Sequence, residues 1–184
     1  GGGRADRIRT KSPDPKDFIS ILRGLEGFTF VSLQYGPVAE DIKQFTSLGV
    51  DVHHDELIDP IKDMESWLNQ VAACDAVLSV ANTTVHGSGG LDIPTMCLLS
   101  WRSDWRWFEE SDVKRSYWYP SVGIARASKT QRWVPALSAA RHWLKSGAHY
   151  PEGPQFTKSF AKRQQRLLGG SVSLCESKDI FQEK

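Results

Sequence analysis

The sequence has little cysteine, no long apolar run and no excess of either charge. Cys74, Cys97 and Cys175 are the three cysteines in 184 residues, and they lie far apart. That spacing supports neither a disulfide framework nor a zinc site, and it suits a reducing compartment. No apolar stretch approaches the roughly 20 residues of a membrane span, and no signal-peptide pattern is visible, so no transmembrane segment is expected. With 23 Lys and Arg against 22 Asp and Glu, the net charge is +1. A near-neutral chain is not a general polyanion binder, and nucleic acid is not an expected partner. The signatures G-x-S-x-G, G-x-x-x-x-G-K-[ST] and G-x-G-x-x-G are all missing, which removes the common serine hydrolase, P-loop and dinucleotide assignments. No residue stands out as a general base or nucleophile, so the catalytic residues are unknown. His53-His54-Asp55-Glu56 is the nearest thing to a metal cluster. Adjacent strand residues point to opposite faces, so these do not converge on one ion, and no metal site is expected.

What is present centres on Cys74–Ser100. Ala76–Val80 is an apolar run long enough for one buried strand. Asn82-Thr83-Thr84 supplies cap-type side chains, a segment of small residues follows, and Asp92-Ile93-Pro94 turns the chain into a second apolar run, Thr95–Leu99. This is strand, polar turn, helix, turn, strand, the plan of a βαβ unit. Upstream, Phe18, Ile19, Leu22 and Leu25 fit a short amphipathic helix ended by Gly24 or Gly27, and Phe28–Leu33 reads as a buried strand. Val38–Leu48 reads as a helix closed by Gly49, and Val50–His53 as a short strand. Asp59-Pro60 reads as a helix start, with Ile61, Met64, Leu68 and Val71 on one face. Downstream, Val122–Ala125 reads as a last strand. Trp133–Leu144 reads as an amphipathic helix with Val134, Leu137, Ala140, Trp143 and Leu144 inward, and Phe156–Leu168 as a basic helix. The expected fold is α/β: a Rossmann-like, three-layer α/β/α domain with a mainly parallel sheet. The expected division is an arm and short helix over 1–27, the Rossmann-like domain over 28–147, and a helix and tail over 148–184. The chain starts with three glycines and no methionine, which fits a piece of a longer protein.

Ligands bind at the carboxyl ends of parallel strands, and Asn82, Thr83 and Thr84 fall there, at a helix N-terminus that favours an anion. The threonine hydroxyls and nearby N–H groups suit a diphosphate. His86, three residues after Thr83, returns to the same side of the helix. Gly87, Gly89 and Gly90 would let a ligand or a neighbouring strand come close. The alternative is a capped helix with a partly buried histidine. Five of the seven tryptophans fall between Trp101 and Trp133. Trp105 and Trp107, with Arg102 and Arg106 beside them, suit stacking of a base or sugar; the alternative is a loop whose tryptophans plug the sheet edge.

Five segments taken together carry a resemblance. They are Val31-Ser32-Leu33-Gln34-Tyr35-Gly36, Cys74 through His86, Gly89 through Thr95, Asp104-Trp105-Arg106-Trp107, and Trp118-Tyr119-Pro120. This series resembles the C-terminal part of bacterial tetratricopeptide-repeat proteins that carry a glycosyltransferase domain. That domain is related to the ADP-heptose heptosyltransferases of glycosyltransferase family 9, and more distantly to protein O-GlcNAc transferases. The resemblance runs from about Phe28 to Trp143. It implies the C-terminal half of a GT-B glycosyltransferase, which binds an ADP- or UDP-linked sugar donor and needs no further cofactor. Thr83, Thr84 and His86 then correspond to the donor-binding D-T-x-x-x-H segment, with Gly87 beside it. Gln34 and Tyr35 lie at the turn that faces the donor, and Asp63 falls near the nucleoside. Asn82 departs from the usual acidic residue. The resemblance also implies an N-terminal acceptor-binding half and tetratricopeptide repeats as partners in a full-length protein. It implies a cytoplasmic location, with a peripheral position at the inner membrane as the other option. The competing expectation is a non-catalytic interaction module that keeps the fold.

Overall fold

Strand β4, Thr95–Leu99, has paired partners on both sides. Its residues alternate between two differently built faces. Thr95, Cys97 and Leu99 point one way and Met96 and Leu98 the other, as the two-residue period of a strand requires. The computed structural model describes residues 12–103, 105–107 and 113–151. In chain order the elements are α1 (Pro15–Leu22), β1 (Phe30–Ser32), α2 (Ala39–Ser47), β2 (Val52–His54), α3 (Met64–Ala72), β3 (Val77–Val80), α4 (Thr83–Gly90), β4, a 3₁₀ turn at Trp105–Trp107, β5 (Val122–Arg126) and α5 (Val134–Lys145). Every paired strand runs parallel to its neighbour, in two ladders: β1–β2, and β3–β4–β5 in that order. The fold is α/β with the alternation of a Rossmann-like domain.

The larger ladder is covered on both faces. On one, α1 and α5 bring Ile21, Ala136, Leu137 and Ala140 onto Leu98 and Ala125. Arg141 ties the two helices by donating to the carbonyls of Ser20, Ile21 and Arg23 at 3.3, 2.6 and 3.2 Å, at the end of α1 where carbonyls lack partners within the helix. On the other face, Val85 of α4 and Trp107 cover Cys97, Leu99, Val122 and Ile124. Trp67 links the ladders. Its indole N–H donates to the Leu33 carbonyl beyond β1 at 3.2 Å, and its ring packs with Val71 and Val77.

Several local expectations shift. The helix over 64–72 starts at Met64 rather than at Pro60. The Asp59 carboxylate accepts from the Ile61 N–H at 2.9 Å and closes a turn there, whereas Asp63 accepts both the N–H and the hydroxyl of Ser66, at 3.0 and 2.6 Å, and caps the helix. Ile61 is therefore 75% exposed, and the buried face is Trp67 and Val71. Val134, expected inward, is 65% exposed because it sits at the helix start, one residue before Pro135. The short strand is Val52–His54. Gly24, Gly49 and Gly147 follow their helices with φ of 71°, 81° and 95°, as expected of helix ends. Residues 148–151 pack on the body: Ala148 is buried and the Tyr150 hydroxyl donates to the Asp92 carbonyl at 2.8 Å. The basic helix expected over 156–168 lies outside the described residues. Among the described residues no helix is long and apolar enough to cross a membrane.

Candidate functional site

The turns at the carboxyl ends of β1, β3, β4 and β5 hold most of the expected site residues. After β3 the chain turns through Ala81 and Asn82 into α4. Asn82 is the N-cap: its side-chain oxygen accepts the Thr84 N–H at 2.9 Å and the Ser79 hydroxyl at 3.1 Å. The cap is neutral, so it satisfies orphan N–H groups without placing a negative charge at the positive end of the helix dipole. Thr83 is exposed and Thr84 half-buried on the first turn. After β1, the Gln34 N–H reaches the Ser32 hydroxyl at 3.4 Å, and Gln34 and Tyr35 are exposed before Gly36, whose φ is 85°. Asp63 is the α3 cap, and its carboxyl is held below the usual value by the Ser66 hydroxyl and N–H.

His86 is half-buried and held on two sides. Its Nδ1 lies 3.1 Å from the Tyr119 hydroxyl, with the Tyr119 ring edge-on at 5.8 Å. The Trp107 ring stacks on it, also at 5.8 Å, with planes 29° apart. Two of the α4 glycines let aromatic rings come close. A Cβ on Gly89 would lie 2.5 Å from the Tyr119 ring, and one on Gly87 would lie 3.0 Å from the Trp67 ring. The close approach expected at Gly87 and Gly89 is thus made by aromatic side chains, with Trp67 at Gly87, whereas a Cβ on Gly90 would meet nothing.

The two tryptophans expected to stack a ligand part company. Trp107 is 2% exposed and belongs to the core, which leaves no open face for a base; Trp105 is 69% exposed. Trp105 carries the Arg106 guanidinium 4.7 Å from its ring centre, and Trp101 carries Arg102 at 4.6 Å with Lys129 at 6.0 Å. These are cation–π distances. Arg126, at the end of β5, fastens the loop after β4 by donating to the Ser103 hydroxyl at 2.8 Å and to the Trp107 carbonyl. Among the described residues, the loop after β4 therefore carries exposed tryptophans faced by cations, a chemistry suited to an anion that carries a flat ring.

Tyr119 and Trp67 are the residues that sequence reasoning left without a role. Trp67 had a legible signal, since it stands four residues before Val71 on the apolar face of α3. Tyr119 had none, because its partner is 33 residues away. Elsewhere, a shallow depression of about 440 Å³ on α2, lined by Glu40, Asp41, Lys43, Gln44 and Ser47, lies on a helix that contributes nothing to the strand-end turns. His53, His54, Asp55 and Glu56 form a strand end and loop, and no group of three or more metal-ligating side chains occurs among the described residues. Cys74 is half-buried and Cys97 buried. Burial, with Asp75 adding to it, pushes the Cys74 thiol above its ordinary value.

The chain is similar to Protein FlbA of Caulobacter vibrioides, with 30% identity over 112 residues that take in 60% of this chain and 18% of FlbA. It thus spans less than a fifth of that relative's length. No family model matches the chain. No solved structure matches it.

Proposed function

We propose that the chain is the donor-binding half of a GT-B glycosyltransferase, holding an ADP- or UDP-linked sugar. The observation that carries this reading is the start of α4. A helix N-terminus with a neutral cap opens at the carboxyl end of a parallel strand, bears Thr83, Thr84 and His86 on its first turns, and stands beside a rim of exposed tryptophan and arginine. N–H groups and threonine hydroxyls donate to diphosphate oxygens there, and the helix dipole favours their charge. Glycosyl transfer in the full-length protein would be metal-independent. This half would stabilise the departing diphosphate electrostatically, and the base would come from the acceptor-binding half. Tetratricopeptide repeats, that second half and a cytoplasmic location belong to the same proposal. Alone, the chain binds donor without turning it over.

A second reading, a non-catalytic interaction module, is favoured by the exposure of Leu57 at 94%, Ile61 at 75% and Trp105 at 69%. Calorimetric titration with ADP, UDP and GDP separates the two. The donor reading expects saturable binding of one nucleotide, weakened roughly tenfold by Thr84→Ala and by His86→Ala, the worth of one hydrogen bond to a charged group. No binding by the wild-type chain up to millimolar nucleotide, with the full-length protein equally silent, would leave the interaction module.

A further inference from the structure

Tyr119 is placed with more care than an aromatic filler needs. Its ring lies over Gly89, where no Cβ would fit. Its backbone N–H and that of Trp118 both donate to the Ser116 hydroxyl, at 3.3 and 3.1 Å, and Ser116 is 1% exposed. The next carbonyl, of Pro120, accepts from Arg115 Nε at 2.8 Å. The hydroxyl so fixed meets His86 Nδ1, while Trp107 stacks on the imidazole and blocks its rotation. Among the described residues, Nδ1 is the ring nitrogen of His86 that has a hydrogen-bond partner.

A neutral imidazole carries one N–H, and which nitrogen bears it is set by the partner of the other. Diphosphate oxygens at neutral pH accept hydrogen bonds and do not donate them. For His86 to serve such a ligand while neutral, Nε2 must carry the hydrogen, and Nδ1 must then be an acceptor. Tyr119 has a hydroxyl that can donate to it. We infer that Tyr119 is a positioning residue, whose hydroxyl donates to Nδ1 and fixes His86 as the Nε2–H tautomer that can donate to a diphosphate. The choice of the Nε2–H tautomer and its ligand rest on the donor-site reading; that Tyr119 is the group that fixes the tautomer rests on the His86–Tyr119–Trp107 geometry.

The test is ¹⁵N-histidine NMR of the 184-residue chain, with the His86 signal among the 5 histidines assigned by its loss in His86→Gln. The wild-type chain shows the Nε2–H tautomer. Tyr119→Phe keeps the ring over Gly89 and removes the hydroxyl. It loses the fixed tautomer, while the nucleotide that binds wild type weakens roughly three- to tenfold. An Nδ1–H tautomer in the wild-type chain overturns the inference, and it does so even if the variant fails to fold. So does a tautomer, or an affinity, that Tyr119→Phe leaves unchanged. If neither ADP nor UDP binds the wild-type chain, the donor-site reading fails by itself, and the spectra still decide whether Tyr119 sets the tautomer.

Discussion

The two faces of the β3–β4–β5 ladder are covered in different ways. Under α5 the interface is mainly small and aliphatic, Ala125, Ala136 and Ala140 with Leu98 and Leu137, and Trp133 is its buried aromatic residue. Under α4, glycine, hydroxyl and aromatic groups join the aliphatic Val85, Leu99, Val122 and Ile124. Gly89 lies beneath Tyr119, Ser88 accepts from Thr95 at 2.9 Å, and Trp107 lies over His86. The first face needs only hydrophobic side chains of about the right volume. The second depends on particular shapes and donors, and it is the face that holds the site histidine. Alanine lets α5 come close to the sheet, while glycine in α4 makes room for a ring, so the same economy of size serves packing on one side and placement on the other.

Removing a large side chain from each face tests this contrast with the largest effect. Trp107→Ala should cost about 3–5 kcal/mol and Leu98→Ala about 2–5 kcal/mol, each read from urea unfolding midpoints. The stabilities overlap, so the distinguishing readout is His86. Its ring resonances should move in Trp107→Ala and stay in place in Leu98→Ala. Equal movement in both would mean that the two faces are one undifferentiated core.

A smaller effect carries a sign. In an ordinary helix, Gly→Ala stabilises by about 0.4–1 kcal/mol. Gly89→Ala should instead destabilise by about 1–3 kcal/mol, because the added Cβ meets the root of the Tyr119 ring rather than a flexible tip. On the other face, Ala140→Gly should cost about 1–2 kcal/mol, the propensity difference plus one buried methyl. Thermal unfolding of both variants checks the pair, and a stabilised Gly89→Ala would remove the claim that shape rules the α4 face.

This contrast marks how far the sequence could be read. The α/β alternation is legible because each strand is a short apolar run between polar turns, as at Val77–Val80 and Thr95–Leu99. So are Asn82 as a cap and α4 at the end of β3. The α4 face is not legible in the same way. Trp105 and Trp107 look alike in sequence, and burial of one and exposure of the other follow from contact with His86, about 20 residues earlier. The glycines advertise a close approach without naming what approaches, which proves to be Trp67 and Tyr119. The helix start at Met64 is hidden because two aspartates, Asp59 and Asp63, compete as caps, and Asp63 prevails through the N–H and hydroxyl of Ser66.

The two N-caps extend the contrast to its smallest effect. Asp63 caps α3 with a charge; Asn82 caps α4 without one. Hydrogen bonds from the Ser66 side chain and backbone hold the Asp63 carboxyl below its ordinary value of 3.8. A depressed carboxyl contributes its stabilisation in full above the unfolded value and loses it as pH falls through the folded one. The α3 cap should therefore weaken below about pH 4, while the α4 cap, with nothing to titrate, holds. Asp63→Asn keeps a side-chain acceptor and removes the titration. Urea midpoints should place the variant below wild type at neutral pH, with the gap closing near pH 2. A gap that stays constant would show that the charge of Asp63 contributes nothing beyond its hydrogen bonds, and the two caps would then be alike in acid as well as in geometry. A closing gap would leave the α4 cap as the acid-insensitive one of the two.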